Sequence, residues 1–156
     1  MMAQPDNYSF ATLEDHTGHD FGASDDILVD QERINNFAET TNDMQWIHTD
    51  VEKAKKFSPF GGTVAHGFLT LSLVAGAMGA SGVVPKDSKA VFNYGVEKVR
   101  FLAPVPAGAT VRARFVLKSV EAKSADRKLI TAACTVEIEG SEKPALVGEF
   151  MALVVA

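Results

Sequence analysis

An aspartate and a histidine stand five positions apart in NDMQWIHTD, residues 42 to 50, as Asp43 and His48. A carboxylate can draw a proton from water, and an imidazole can give or take one near neutral pH, so the two types suit general acid–base work on a single small target. Trp46 and Ile47, between them, offer a dry wall that would strengthen such interactions. On a continuous helix a five-residue step turns about 140° and would point the two groups apart. Asn42 is a residue type that ends helices, so a loop after it can fold back and let carboxylate and imidazole meet. The plain alternative is a helix cap beside a solvated side chain.

A second stretch, FGGTVAHGFLTLSL at residues 60 to 73, sets a glycine-rich turn directly before an apolar run. If the run is a helix, the Gly67 amide lies at its start with no intrahelical partner. Free amides at a helix N-terminus stabilise negative charge, and a developing enolate or oxyanion is one such charge. Turn geometry and close packing would equally account for Gly61, Gly62 and Gly67, and His66 reads as structural rather than catalytic.

The elements that must position these groups can be read from periodicity. Ile34, Phe37, Ala38 and Thr41 recur at helical spacing behind Asp30, a natural N-cap, which predicts a helix over 31–41. Asp50 can cap a short second helix in VEKAKKF, which breaks at residues 58 to 62. From His66 to Ala80 the chain predicts a helix apolar nearly all round, needing cover on most sides, with Gly67, Gly76 and Gly79 admitting close backbone approach.

Strands follow. Val111, Ala113, Phe115 and Leu117 alternate with polar residues, and Ile130, Ala132, Cys134, Val136 and Ile138 share one face. In AVFNYGVEKVRFLAPV the apolar phase shifts after Val96, which predicts a bulge near Glu97 and Lys98, and ALVGEFMALVV is a fourth strand. Helices, then one apolar helix, then four strands without βαβ alternation indicate an α+β domain, a curved antiparallel sheet around a buried helix. Residues 1–20 read as a loosely held extension and 21–156 as the domain.

Composition narrows the function classes. The chain has 156 residues, enough for one core, and a net charge of −5, which disfavours nucleic-acid binding. Cys134 is the single cysteine, which excludes an intramolecular disulfide and fits a cytoplasmic setting. No signal sequence or membrane span is expected. No metal site is expected either, because His48 and His66 are far apart in sequence without a close-spaced Cys or His pair. No phosphate-binding fingerprint is present.

With these motifs in order, the chain resembles the MaoC-like (R)-specific enoyl-CoA hydratases, which have the hotdog fold. The resemblance rests on an acid, four intervening residues and a histidine (Asp43 to His48), then His66-Gly67 opening the central helix. NDMQWIHTD, PFGGTVAHGFLTLSL and NYGVEKVRFLAPVPAG together look most like its nodulation-protein-N-like branch. It implies a hotdog domain over 21–156 that reversibly hydrates trans-2-enoyl-CoA to (R)-3-hydroxyacyl-CoA, with Asp43 and His48 holding the water and the Gly67 amide stabilising the thioester oxygen. Coenzyme A would be part of the substrate, with no separate cofactor. Gln45 and Trp46 stand where many relatives have Asn-Pro, and Ala75 where some carry a serine. Gln45, Trp46, Asn93 and Tyr94 are substrate-binding candidates, and a homodimer is implied. A hotdog acyl-CoA thioesterase and a non-catalytic acyl-CoA-binding protein are the competing readings.

Overall fold

The computed structural model describes residues 4 to 156. After a 3-10 turn (Phe10–His16), two short strands, β1 (Asp20–Ala23) and β2 (Ile27–Val29), lead into helices α1 (Gln31–Thr41), α2 (Trp46–Thr49), α3 (Val51–Phe57) and α4 (Gly67–Ala80). Four long strands follow: β3 (Ala90–Phe101), β4 (Ala109–Ser124), β5 (Arg127–Ile138) and β6 (Leu146–Val155). The sheet runs β1-β4-β5-β6-β3 and is antiparallel throughout, with β2 also pairing with β4.

The alternation seen in the sequence is the alternation of burial. Val111, Ala113, Phe115 and Leu117 of β4 and Ile130, Ala132, Cys134, Val136 and Ile138 of β5 all face the core. Register in such a sheet is held by this pattern, since a slip of one residue would turn every apolar side chain to the wrong face. The expected bulge is present: pairing of β3 with β6 shifts between Glu97 and Arg100, and Lys98 takes a left-handed φ of 53°.

Helix α4 lies against the sheet through Leu69, Thr70, Val74, Ala77 and Met78, while Phe68, Ser72, Ala75, Gly76, Gly79 and Ala80 stay exposed. The cover on most sides that its composition calls for is therefore only partly supplied within one chain. The expected role of Gly76 and Gly79 is also corrected, because a Cβ at either would meet nothing within 4 Å. Gly67 differs: a Cβ there would stand 3.1 Å from the Phe101 ring.

Of the extension over 1–20 expected to be loosely held, the part described from residue 4 onward packs on the domain, and residues 1 to 3 lie outside the described residues. Leu13 is fully buried, Tyr8 and Phe10 join the core, and Gln4 Nε2 donates to the Gly82 and Val84 carbonyls at 3.0 and 2.8 Å. Lys128 of β5 donates to the Phe10 carbonyl at 2.7 Å and to Glu14 at 2.6 Å, pinning the 3-10 turn. The short strands β1 and β2, whose runs are only four and three residues, carry no alternation long enough to read from sequence. No helix among the described residues is long and apolar enough to cross a membrane.

Candidate active site

The chain reversal needed to bring Asp43 to His48 is built at Asn42. The Asp30 side chain caps α1 by accepting from the Arg33 amide at 2.9 Å, and twelve residues later Asn42 ends the helix with φ 59°. Asparagine tolerates this left-handed backbone better than most residues. Asp43 follows at once, and His48 comes back on the short α2 rather than in an open loop.

Residues 47 and 48 are stitched to the strand-like segment before α4. The Val64 amide donates to the Ile47 carbonyl at 3.2 Å, and His48 Nδ1 donates to the Val64 carbonyl at 2.6 Å. A carbonyl can only accept, so Nδ1 carries the hydrogen and, in neutral His48, Nε2 presents a lone pair. Gln31 adds a third tie that sequence reading missed: its amide nitrogen donates to the His48 carbonyl at 2.7 Å, and its oxygen accepts from the Thr63 hydroxyl. A polar residue in the first turn of a helix gave no signal of that role.

His66 is also brought to the pair. Only 2% exposed, it occupies the N-cap of α4, its Nε2 donates to the Asp43 carbonyl at 2.9 Å, and its ring stacks on His48 with centroids 3.8 Å apart. One donor atom from each of Asp43, His48 and His66 lies within 4.8 Å of the other two. Two imidazoles and a carboxylate are a donor set that a divalent transition metal accepts, so the sequence argument from the separation of His48 and His66 does not hold in three dimensions. One nitrogen of each ring is, however, already committed to a backbone carbonyl.

Burial holds the His48 imidazole below its ordinary pKa; the Val64 carbonyl opposes that, His66 reinforces it and the Asp43 carboxylate opposes it. The net direction favours the neutral ring. Asp43 itself is exposed. Immediately after His66, the Gly67 amide begins α4 where the helix dipole is positive. Gly67 lines a pocket of about 200 Å³ with Phe101, Leu102 and Pro104.

The remaining candidates are less concentrated. Gln45 is the N-cap residue of α2, where its carbonyl accepts from the His48 amide at 3.0 Å. Trp46 opens α2 and carries Lys53 Nζ 5.0 Å above its ring. Asn93 and Tyr94 line a different cavity, about 380 Å³, with Leu71, Ala75 and Met78 of α4 and Phe150 of β6. Within one chain the structure thus joins Asp43, His48 and His66, and places Asn93 and Tyr94 in a separate cavity lined by later residues of α4.

Comparison with known proteins follows the same lines. The family model described as MaoC like domain matches residues 12–139. A 3-hydroxyacyl-thioester dehydratase Z from Mycobacterium tuberculosis is 45% identical over 148 residues, covering 95% of this chain and 97% of the relative. Nodulation protein N from Rhizobium leguminosarum bv. viciae is 44% identical over 148 residues, covering 94% and 91%. The X-ray structure of a monoamine oxidase regulatory protein from Archaeoglobus fulgidus superposes with a TM-score of 0.79 at 28% identity, over 99% of this chain and 97% of that one. The curved antiparallel sheet with its central helix is the hotdog fold that the motifs imply.

Proposed function

Because this chain belongs to the MaoC-like dehydratase family, we propose that it is a hydro-lyase of thioesters, interconverting trans-2-enoyl-CoA and (R)-3-hydroxyacyl-CoA. The observation that carries the reading is the fixed tautomer of His48. With Nδ1–H held by the Val64 carbonyl, Nε2 is left as the acceptor, and a ring nitrogen of His48 lies within 4.8 Å of an Asp43 carboxylate oxygen. A water between them gives one hydrogen to each.

In hydration the water oxygen bonds C3 as one of its protons passes to the pair, and electrons shift through C2 to the thioester oxygen. A proton is then returned to C2, so water is added and nothing else is consumed. The Gly67 amide, at the positive end of α4, offsets the charge on that oxygen; one such donor is typically worth about 3 kcal/mol in the transition state. Dehydration is the same path reversed.

Lys53, held over Trp46 on the element that carries His48, suits a phosphate of the coenzyme A carrier, and the cavity at Asn93 and Tyr94 suits an apolar acyl chain. The chain works as a homodimer in this reading, since the acyl cavity lies beside the exposed face of α4 and the sheet edge β3.

Incubation with crotonyl-CoA and longer enoyl-CoAs tests the proposal. Loss of the conjugated enoyl absorbance without free thiol is the expected result; released thiol identifies a thioesterase, and no reaction at any chain length identifies a binding protein. Asp43→Asn, which keeps the shape and removes the base, should lower turnover by at least about 10²-fold with the circular dichroism spectrum unchanged.

A further inference from the structure

His66 is a buried polar side chain that the reaction just described does not use. Its Nε2 must carry a hydrogen, because its partner is the Asp43 carbonyl, an acceptor across 23 positions of sequence. The other ring nitrogen, Nδ1, is buried without a protein partner among the described residues. Phe37 of α1 closes on the ring from one side, with centroids 5.1 Å apart, and His48 stacks on it at 3.8 Å and 28°.

The ring therefore touches both members of the pair in different ways. To Asp43 it offers a directional hydrogen bond on the main chain, at the first residue after the left-handed turn of Asn42. To His48 it offers a flat apolar face that restricts rotation about the bond leading to the imidazole. Because His66 is itself the N-cap of α4, whose first amide belongs to Gly67, one rigid residue links acid, imidazole and helix start.

We propose that His66 is a positioning residue for the reaction, setting the place of Asp43 through Nε2–H and the plane of His48 through ring stacking, without exchanging a proton with the substrate. The proposal deepens the hydration reading and rests on it for the kinetic part of its test.

Two variants separate the two contacts. His66→Gln keeps an amide N–H close to the position of Nε2 and loses the ring; His66→Phe keeps the ring and loses the donor. Steady-state kinetics with crotonyl-CoA should show kcat lowered by roughly tenfold in the glutamine variant. In the phenylalanine variant the loss should be on the order of 10²-fold, the scale of a small misplacement of catalytic groups. KM should change by less than about threefold in both. Nitrogen-15 spectra of the folded proteins provide the second measurement: the Asp43 amide signal should move in the phenylalanine variant, and the His48 ring signals should lose their single-tautomer pattern in the glutamine variant.

Unchanged kcat in both variants, or unchanged Asp43 and His48 signals in both, overturns the proposal. If the parent protein hydrates no enoyl thioester, the hydratase reading fails separately and the spectra alone decide the positioning role. If His66→Phe does not fold, the glutamine variant decides it: a kcat and a His48 spectrum like the parent's overturn it.

Discussion

At the scale of the residue, the proposed site sets a histidine biased toward its neutral form beside an exposed carboxylate. Burial places the folded-state pKa of His48 below its ordinary value near 6.5, so between the two values the unfolded chain binds the extra proton and the folded one does not. Stability from this group is thus lost as pH falls through that window and is regained as pH rises. Activity should follow the same sign: kcat/KM should stay flat from neutral pH down past 6.5 and fall only below it, with the limb absent from the residual activity of His48→Gln. A limb centred above 6.5 would contradict this account. The pair was legible as a pair only because Asn42 could be recognised as a helix end; spacing by itself pointed the two groups apart. His66 escaped functional notice because a histidine at a helix start is chemically unremarkable until the chain folds it onto residues 43 and 48, and Gln31 because its three partners are distributed over three segments.

At the scale of the element, α4 serves the proposed mechanism by its first residue. A Cβ at Gly67 would press on the Phe101 ring at 3.1 Å, tighter than ordinary contact, and Phe101 is half exposed on β3 and has room to yield. Gly67→Ala should therefore fold, with Phe101 displaced by a few tenths of an ångström and the start of α4 disturbed. We expect kcat to fall by about tenfold or more, as when an oxyanion donor is misplaced, with a change in melting temperature of only a few degrees. Full activity in that variant would remove the Gly67 amide from the mechanism. Long elements were readable because periodicity needs length: β4 and β5 alternate buried residues over seven and nine positions, and the apolar helix is unmistakable. The bulge at Lys98 was readable because it shifts the phase of that pattern. What periodicity does not reveal is how much of an apolar helix one chain covers, since that depends on neighbours far along the sequence or on another molecule.

At the scale of the whole molecule, β3 ends the sheet with Phe92, Tyr94 and Val96 at 58%, 60% and 48% exposure. An edge strand with free backbone groups and a row of apolar side chains is a template for another strand. In the proposed dimer a second copy covers this edge and the open face of α4. Sedimentation equilibrium should give twice the 16.7 kDa of one chain, and the Phe92→Asp, Tyr94→Asp double variant should sediment as a monomer. A double variant of unchanged mass would place the interface elsewhere. The position of β6 matters in another respect. The last strand in sequence is not last in the sheet: it lies between β5 and β3 and pairs with both along most of its length. The stretch matched by the family model, residues 12–139, leaves out β6 and also Tyr8 and Phe10 of the core. A polypeptide trimmed to 12–139 should show no cooperative thermal transition and little amide-exchange protection in β3, because β6, its neighbour in the sheet, would be missing. The span by which the family is recognised is thus shorter than the span that builds the sheet and the core.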